Sequence, residues 1–240
     1  MPFAEPDLRG ALRTVERFFL PPECLLCGEA VPVRDGDALV CSLCRSRWSP
    51  LPFPQCARCG QPLAAGLDCR GCTDWPEAFR RVRSAVWLDE TARLAVHQLK
   101  YEGWWRVVEA MALAMRGLEP LTGDVFLVPV PLGARRARRR GYNQSERLAT
   151  ALACLAGVRV VPALARTRET PTQTRLAPDE RRANVAGAFA ARGLPGGTPV
   201  LVDDVFTTGA TLVAAAEALM ARGARQVDAV TFARARPPVA

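Results

Sequence analysis

The stretch Val200-Leu201-Val202-Asp203-Asp204-Val205-Phe206-Thr207-Thr208-Gly209-Ala210-Thr211 decides the fold. Val200 to Val202 form a continuous apolar run, the pattern of a parallel strand buried on both faces rather than of an alternating, half-exposed one. Ligands of open α/β sheets bind beyond the carboxyl ends of such strands. There stand Asp203 and Asp204, two adjacent carboxylates able to accept charge-assisted hydrogen bonds from two adjacent hydroxyls, as a ribose presents. Thr207 to Thr211 then turn into a helix expected over Leu212 to Met220. Small and hydroxyl residues at a helix N-terminus favour an anion, and Gly209 lets a phosphate approach the backbone. An ordinary strand-turn-helix with an acidic turn is the plainer alternative. The chain has no Gly-Lys-Ser/Thr phosphate loop and no G-x-G-x-x-G after a strand, which argues against nucleotide hydrolysis and dinucleotide redox chemistry.

Outward from this stretch, strands and helices alternate from Arg83 to the C-terminus. Strands are expected at Ser84 to Leu88, Val125 to Val130, near Val158 to Val161, at Pro199 to Val205 and at Gln226 to Phe232. Shorter segments fall at Leu164 to Arg166 and Ala186 to Ala190. Helices are expected at Thr91 to Lys100, Trp105 to Gly117 and Gln144 to Ala156. Alternation of this kind implies a mostly parallel sheet with flanking helices and right-handed crossovers. Three pieces result: a leader helix over residues 1–20, a cysteine-rich module over 21–78 and an α/β domain over 79–240. Leu8, Leu12, Val15 and Phe19 recur at helical spacing in the leader, and Glu5, Asp7, Arg9 and Arg13 interrupt it, so it reads as a docking helix rather than a membrane anchor.

Eight of the nine cysteines form four C-x-x-C pairs, Cys24/Cys27, Cys41/Cys44, Cys56/Cys59 and Cys69/Cys72. Two such pairs supply the four thiolates of a tetrahedral Zn²⁺ site, and both consecutive combinations, C-x2-C-x13-C-x2-C and C-x2-C-x9-C-x2-C, have ribbon-like spacing. Two structural zinc ions are the simplest count. A disulfide framework is the alternative, disfavoured by the lack of a secretory signal. Prolines at 50, 52, 54, 62 and 76 suit a loop-rich module whose stability comes from metal. Cys154 stands apart and reads as a small core residue. The net charge of +8 on 240 residues favours polyanionic partners, phosphorylated substrates or nucleic acid, without choosing between them. No apolar run approaches bilayer length, so a cytoplasmic protein without membrane insertion is expected.

Three more segments bear on the site. Val128-Pro129-Val130-Pro131-Leu132 leaves a strand and runs into a segment from Gly133 to Arg140 with arginines at 135, 136, 138, 139 and 140, a loop suited to pyrophosphate or else a solvated basic face. Asn143 is placed to cap the following helix, with Glu146 three residues on. His97, the only histidine, lies at an apolar-periodic position, and Trp104 and Trp105 read as core or hood residues more readily than as base platforms.

The Asp-Asp and Thr-Thr-Gly-x-Thr elements resemble the motif by which type I phosphoribosyltransferases bind 5-phosphoribosyl-1-pyrophosphate (PRPP). The resemblance implies that Asp203 and Asp204 hold the ribose hydroxyls, that Thr207, Thr208, Gly209, Ala210 and Thr211 hold the 5′-phosphate, and that Pro129, Val130, Arg139 and Arg140 belong to the pyrophosphate loop. With Leu20-Pro21-Pro22-Glu23-Cys24-Leu25-Leu26-Cys27-Gly28, Leu99-Lys100-Tyr101-Glu102-Gly103 and Arg140-Gly141-Tyr142-Asn143-Gln144, nearly the whole chain is similar to the ComF family. These proteins carry a double zinc ribbon before a phosphoribosyltransferase-like domain, and some are linked to DNA uptake in natural transformation. By this resemblance Thr167 to Asn184 is the mobile loop over the site, and Lys100, Arg175, Asp203 and Asp204 are the catalytic candidates. Mg²⁺ would enter with PRPP, and single-stranded DNA or a transformation helicase are the expected partners. Transfer to an unidentified acceptor and a non-catalytic PRPP-sensing platform both stand as expectations.

Overall fold

The computed structural model describes residues 22–63, 68–168 and 185–237. The expected leader helix over 1–20, Arg175 and most of the loop over 167–184 therefore lie outside the described residues. In chain order the strands are β1 (Phe79–Trp87), β2 (Val125–Pro129), β3 (Arg159–Val160), β4 (Leu164–Arg166), β5 (Phe189–Ala191), β6 (Thr198–Phe206) and β7 (Val227–Arg234). The helices are α1 (Ser42–Ser46), α2 (Glu90–Tyr101), α3 (Val108–Met115), α4 (Ala134–Arg140), α5 (Gln144–Ala156) and α6 (Ala210–Met220). Among the described residues no helix is long and apolar enough to cross a membrane.

The central sheet has the order β1-β7-β6-β2-β3, with every pair parallel, and β4 and β5 form a separate antiparallel ribbon. β6 and β7 lie inside the sheet, which is why their sequences are apolar almost without interruption. Alternate residues then sort into two cores. Leu127, Val200, Val202, Val230 and Phe232 pack with α2, α3 and α5, whereas Phe126, Val128, Leu201 and Ala229 pack with α6 and the β4–β5 ribbon.

The cysteine-rich module straddles the sheet. Cys24, Cys41, Cys44 and Trp48 join the first core; Cys59, Cys72 and Trp75 join the second. Between them the module covers the free edge of β1. The N–H of Val82 donates to Arg58 O and that of Trp87 to Ser49 O, both at 2.8 Å, so donors that an edge strand would leave open are taken.

Three expectations are corrected. β1 starts at Phe79 rather than Ser84, because Phe79 and Val82 are buried while Arg81 and Arg83 find Asp228 and Glu119 as partners. The arginine-rich segment after β2 is a short helix, α4, not a loop. Cys154 is exposed, since α5 buries Ser145, Leu148, Ala149 and Leu152, and residue 154 faces away from that stripe.

Candidate functional site

Cys24, Cys27, Cys41 and Cys44 bring four Sγ atoms within 4.8 Å of one another, and Cys56, Cys59, Cys69 and Cys72 do the same. Consecutive knuckles are thus the ones that pair. Four thiolates bound to one zinc at about 2.3 Å stand about 3.8 Å apart. Cys27–Cys41 at 4.0 Å, Cys56–Cys72 at 3.7 Å and Cys59–Cys69 at 3.4 Å agree with that edge and are far longer than a disulfide bond. Backbone N–H groups of Leu26 and Cys41 point at Cys24 Sγ, at 3.5 and 3.4 Å. Burial pushes the Cys24 thiol up, but N–H bonds outweigh it and bring the group down to about 7, whereas burial holds Cys41 and Cys44 above the ordinary thiol value. Both clusters fit the two four-cysteine sites of a double zinc ribbon.

At the carboxyl end of β6 a cleft of about 410 Å³ opens, a size in the range of small-molecule sites. Its floor is Asp203, Asp204 and Val205, and Thr207 and Thr211 close one end. α2 supplies Arg93, His97, Lys100 and Tyr101; the chain after β2 supplies Val130 to Leu132. Arg136 and Arg140, one helical turn apart on α4, and Arg166 at the end of β4 complete a basic wall.

The carboxylates hold different partners. Asp204 is buried and its Oδ2 pairs with Lys100 Nζ at 2.5 Å, bringing the chain's single lysine from α2 to the sheet. Burial opposes the Lys100 charge, yet Asp204 keeps its pKa above the ordinary value. Asp203 Oδ1 accepts from Ser145 Oγ at 2.8 Å and from the Asp204 N–H at 2.9 Å. Burial, reinforced by the neighbouring Asp204 charge and opposed by Lys100, raises Asp203 from 3.8 to about 7. Such a group is poised to exchange a proton near neutrality or to be ionised by donors on an incoming ligand.

The segment from Arg140 to Ser145 is the bracket behind these groups. Tyr142 Oη donates to Leu99 O, fixing α2 next to Lys100. Asn143 caps α5 through the Ser145 N–H at 3.1 Å and donates to Val130 O at 3.1 Å, which ties α5 to the end of β2 and aims Ser145 at Asp203. Arg140 Nη1 donates to Gln144 Oε1, holding the guanidinium at the cleft.

The structure sorts the sequence candidates. Lys100, Val130, Arg140, Asp203, Asp204, Thr207 and Thr211 line the cleft; Pro129, Arg139, Thr208, Gly209 and Ala210 do not. Arg139 is exposed on the outer side of α4, because the cleft-facing positions are 136 and 140. Thr208 Oγ1 accepts from Ala210 N–H at 3.4 Å and serves the turn itself. Gly209 has φ +79°, and a Cβ there would lie 3.0 Å from Phe206 and from Trp75, so backbone conformation and packing from behind already disfavour a side chain. His97 is exposed at the rim, and Trp104 and Trp105 are surface residues, 49% and 39% exposed, outside the cleft rather than core. Arg136 lines the cleft where the sequence reading prefers Arg139 beside Arg140, and Ser145, Arg93, Tyr101 and Arg166 are polar or aromatic lining residues to which no role was assigned from sequence. Two of these carried a signal: Ser145 follows the capping Asn143 by two positions, and Tyr101 stands beside Lys100 in the quoted Leu99–Gly103 stretch.

Comparison with known proteins agrees with this architecture. Residues 15–73 match the family model described as a double zinc ribbon domain, and residues 137–238 that of the phosphoribosyl transferase domain. The chain is 33% identical over 220 residues to the DNA utilization protein YhgH of Escherichia coli O157:H7, covering 87% of this chain and 95% of that protein. It is 28% identical over 232 residues to competence protein ComFC of Bacillus subtilis, covering 88% and 94%. It is 27% identical over 209 residues to competence protein F of Haemophilus influenzae, covering 82% and 90%.

Proposed function

The chain belongs to the ComF family, double zinc ribbon proteins with a phosphoribosyltransferase domain, and on that premise we propose that it binds Mg²⁺-PRPP in the cleft and transfers its phosphoribosyl group to an acceptor. The observation that carries this reading is the charge layout of a single cleft. Paired carboxylates occupy the floor, two threonines close one end, and Lys100, Arg136, Arg140 and Arg166 stand around them. A ribose with a phosphate at one end and a pyrophosphate at the other is the small molecule that fits both halves.

In this reading Asp203 and Asp204 accept from the 2′ and 3′ hydroxyls. Thr207 and Thr211, at the N-terminus of α6, take the 5′-phosphate. Arg136, Arg140 and Arg166 face the pyrophosphate, with Pro129 and Arg139 shaping the segment behind them. Mg²⁺ would supply charge neutralisation to the leaving pyrophosphate and be held largely by the substrate's own oxygens. Displacement at C1 develops oxocarbenium character, so the residues need only fix the sugar, bind the leaving group and keep water out. Lys100 shifts from Asp204 toward the pyrophosphate as the ribose hydroxyls replace it on the carboxylate. Arg175 is assigned the same charge from the covering loop. The domain limits 21–78 and 79–240 accompany this proposal.

Relatives named for DNA utilization and competence support a role for this chain in handling incoming DNA. A second reading, a PRPP-sensing platform for single-stranded DNA or a transformation helicase, is favoured by the exposed face of α4, where Arg135, Arg138 and Arg139 lie outside the cleft. Calorimetry with Mg²⁺-PRPP, followed by a pyrophosphate-release assay across candidate bases, separates the two. Binding with release supports the transferase; binding without release against every acceptor supports the platform; no binding removes both.

A further inference from the structure

The second metal site and the phosphate loop share their packing. Trp75 follows Cys72 by three residues, is 5% exposed, stacks on Phe79 with ring centroids 4.9 Å apart and meets Phe206 at 6.1 Å. Phe206 is the last residue of β6, immediately before Thr207. At Gly209 a Cβ would stand 3.0 Å from Trp75 Cζ2 and 3.0 Å from Phe206 Cε2, so the loop backbone rests on both rings. Phe206 is also covered by Arg234, whose guanidinium carbon lies 4.0 Å from the ring centroid. That guanidinium donates to Cys59 O at 2.8 Å and to Gln61 Oε1 at 3.0 Å, and its Nη2 stands 4.0 Å from Cys59 Sγ. Arg58, between Cys56 and Cys59, donates to Cys72 O at 3.0 Å and Trp75 O at 2.9 Å. Gly60 presses this knuckle against β1, where a Cβ would lie 2.6 Å from Val82 O.

Among the described residues the first metal site shows no such path to the loop; its knuckle meets α2 instead, where Gln98 Nε2 donates to Leu25 O at 3.3 Å. Its tryptophan, Trp48, packs edge-on against Phe232 at 4.9 Å in the core on the opposite face of the sheet. Close-packed contacts transmit a displacement rather than absorb it, so a change at Cys59 or Cys72 moves the rings on which Gly209 rests.

We infer that Trp75 and Arg234 are positioning residues that couple the Cys56/Cys59/Cys69/Cys72 site to the Thr207–Thr211 loop, so that phosphate binding and metal retention there support each other, while the Cys24/Cys27/Cys41/Cys44 site is independent. The inference rests on the assignment of that loop to the 5′-phosphate. Coupling between binding sites is reciprocal. A ligand on the loop must therefore hold metal at the second site, which a purely structural tryptophan would not bring about.

The test uses the full zinc-loaded chain. Calorimetry first establishes PRPP binding; zinc release to a chromogenic chelator is then followed with and without PRPP. PRPP is expected to slow one of two release phases about fivefold or more and to leave the other unchanged. Amide exchange should place the added protection at residues 56–61 and 68–76 and not at 24–44. Trp75→Ala should retain two zinc ions, speed exchange at 207–211, weaken PRPP about tenfold and abolish the slowing, with partial recovery in Trp75→Phe. Bound PRPP that slows both phases alike, or neither, overturns the coupling. If wild type binds no PRPP, the phosphate reading fails and the coupling falls with it, an outcome distinct from PRPP that binds without altering zinc release. Should Trp75→Ala fail to fold, Trp75→Phe and Arg234→Lys carry the same measurements.

Discussion

Replacing Asp203 by asparagine is expected to stabilise the ligand-free protein above neutrality while weakening its hold on PRPP. Burial and the Asp204 charge raise Asp203 from 3.8 to about 7. A carboxyl whose folded pKa exceeds its unfolded value binds its proton more tightly in the native state. Native stability is therefore intact below the unfolded pKa and falls as pH rises toward the folded one. At about 1.4 kcal/mol per unit, a shift of about three units costs up to about 4 kcal/mol once Asp203 is ionised, and partial solvation of the half-buried side chain brings this to about 2–3 kcal/mol. The asparagine amide oxygen still accepts from Ser145 Oγ and the Asp204 N–H, which donate at 2.8 and 2.9 Å in the wild type. Urea unfolding of both proteins checks the sign, with the stability gap in favour of Asp203→Asn growing by about 1–2 kcal/mol from about pH 5.5 to about pH 8. Comparing the two proteins cancels the pH dependence of the metal–thiolate bonds, which they share. PRPP affinity should fall about tenfold or more, because charge-assisted hydrogen bonds contribute roughly 1.5–3 kcal/mol. A constant gap, or a wild type that gains on the variant as pH rises, refutes the reasoning.

Other outcomes follow from the same geometry. Lys100→Met strands the buried Asp204 carboxylate; with Lys100 about a fifth exposed, stability should drop by about 2 kcal/mol in thermal unfolding, and PRPP binding should weaken. Arg136→Gln and Arg140→Gln are expected to lower PRPP affinity in calorimetry while Arg139→Gln leaves it unchanged; equal loss in all three would show that general charge, not placement on α4, is what counts. Metal analysis should find two zinc ions per chain, and chelation should expose Trp48 and Trp75 together, seen as a red-shifted emission; one ion, or none, removes the assignment of both four-cysteine clusters to zinc.

The α/β alternation was legible because β6, β7, α5 and α6 each keep a steady apolar pattern. It failed where charge was structural. Arg81 and Arg83 disguised the first half of β1, since their partners Asp228 and Glu119 lie far along the chain. α4 has no buried residue, so no apolar stripe announced it. The carboxylates and the threonine turn of the site could be read because they are contiguous. Ser145 and Arg166 could not, because only topology brings α5 and β4 to the cleft, and choosing Arg136 over Arg139 needed the helical turn of α4. The packing of Trp75 behind Gly209 was not legible either, because it comes from a separate part of the sequence.

The sheet order also sets a timetable. β1 follows directly on the metal-binding segments, yet among the described residues its one strand neighbour is β7, and Ser84 meets Thr231 across 147 positions. During synthesis the ribbons can take up metal at once, but the inner edge of β1 has nothing to pair with until Val227 to Arg234 have been made. Phe206 and Arg234, on which the second ribbon leans, arrive just as late. A truncated nascent chain therefore holds a finished clip around an unfinished sheet. Closure is a late event that joins β1 to β7, which makes the C-terminal residues of β7 the step that commits this sheet to its fold.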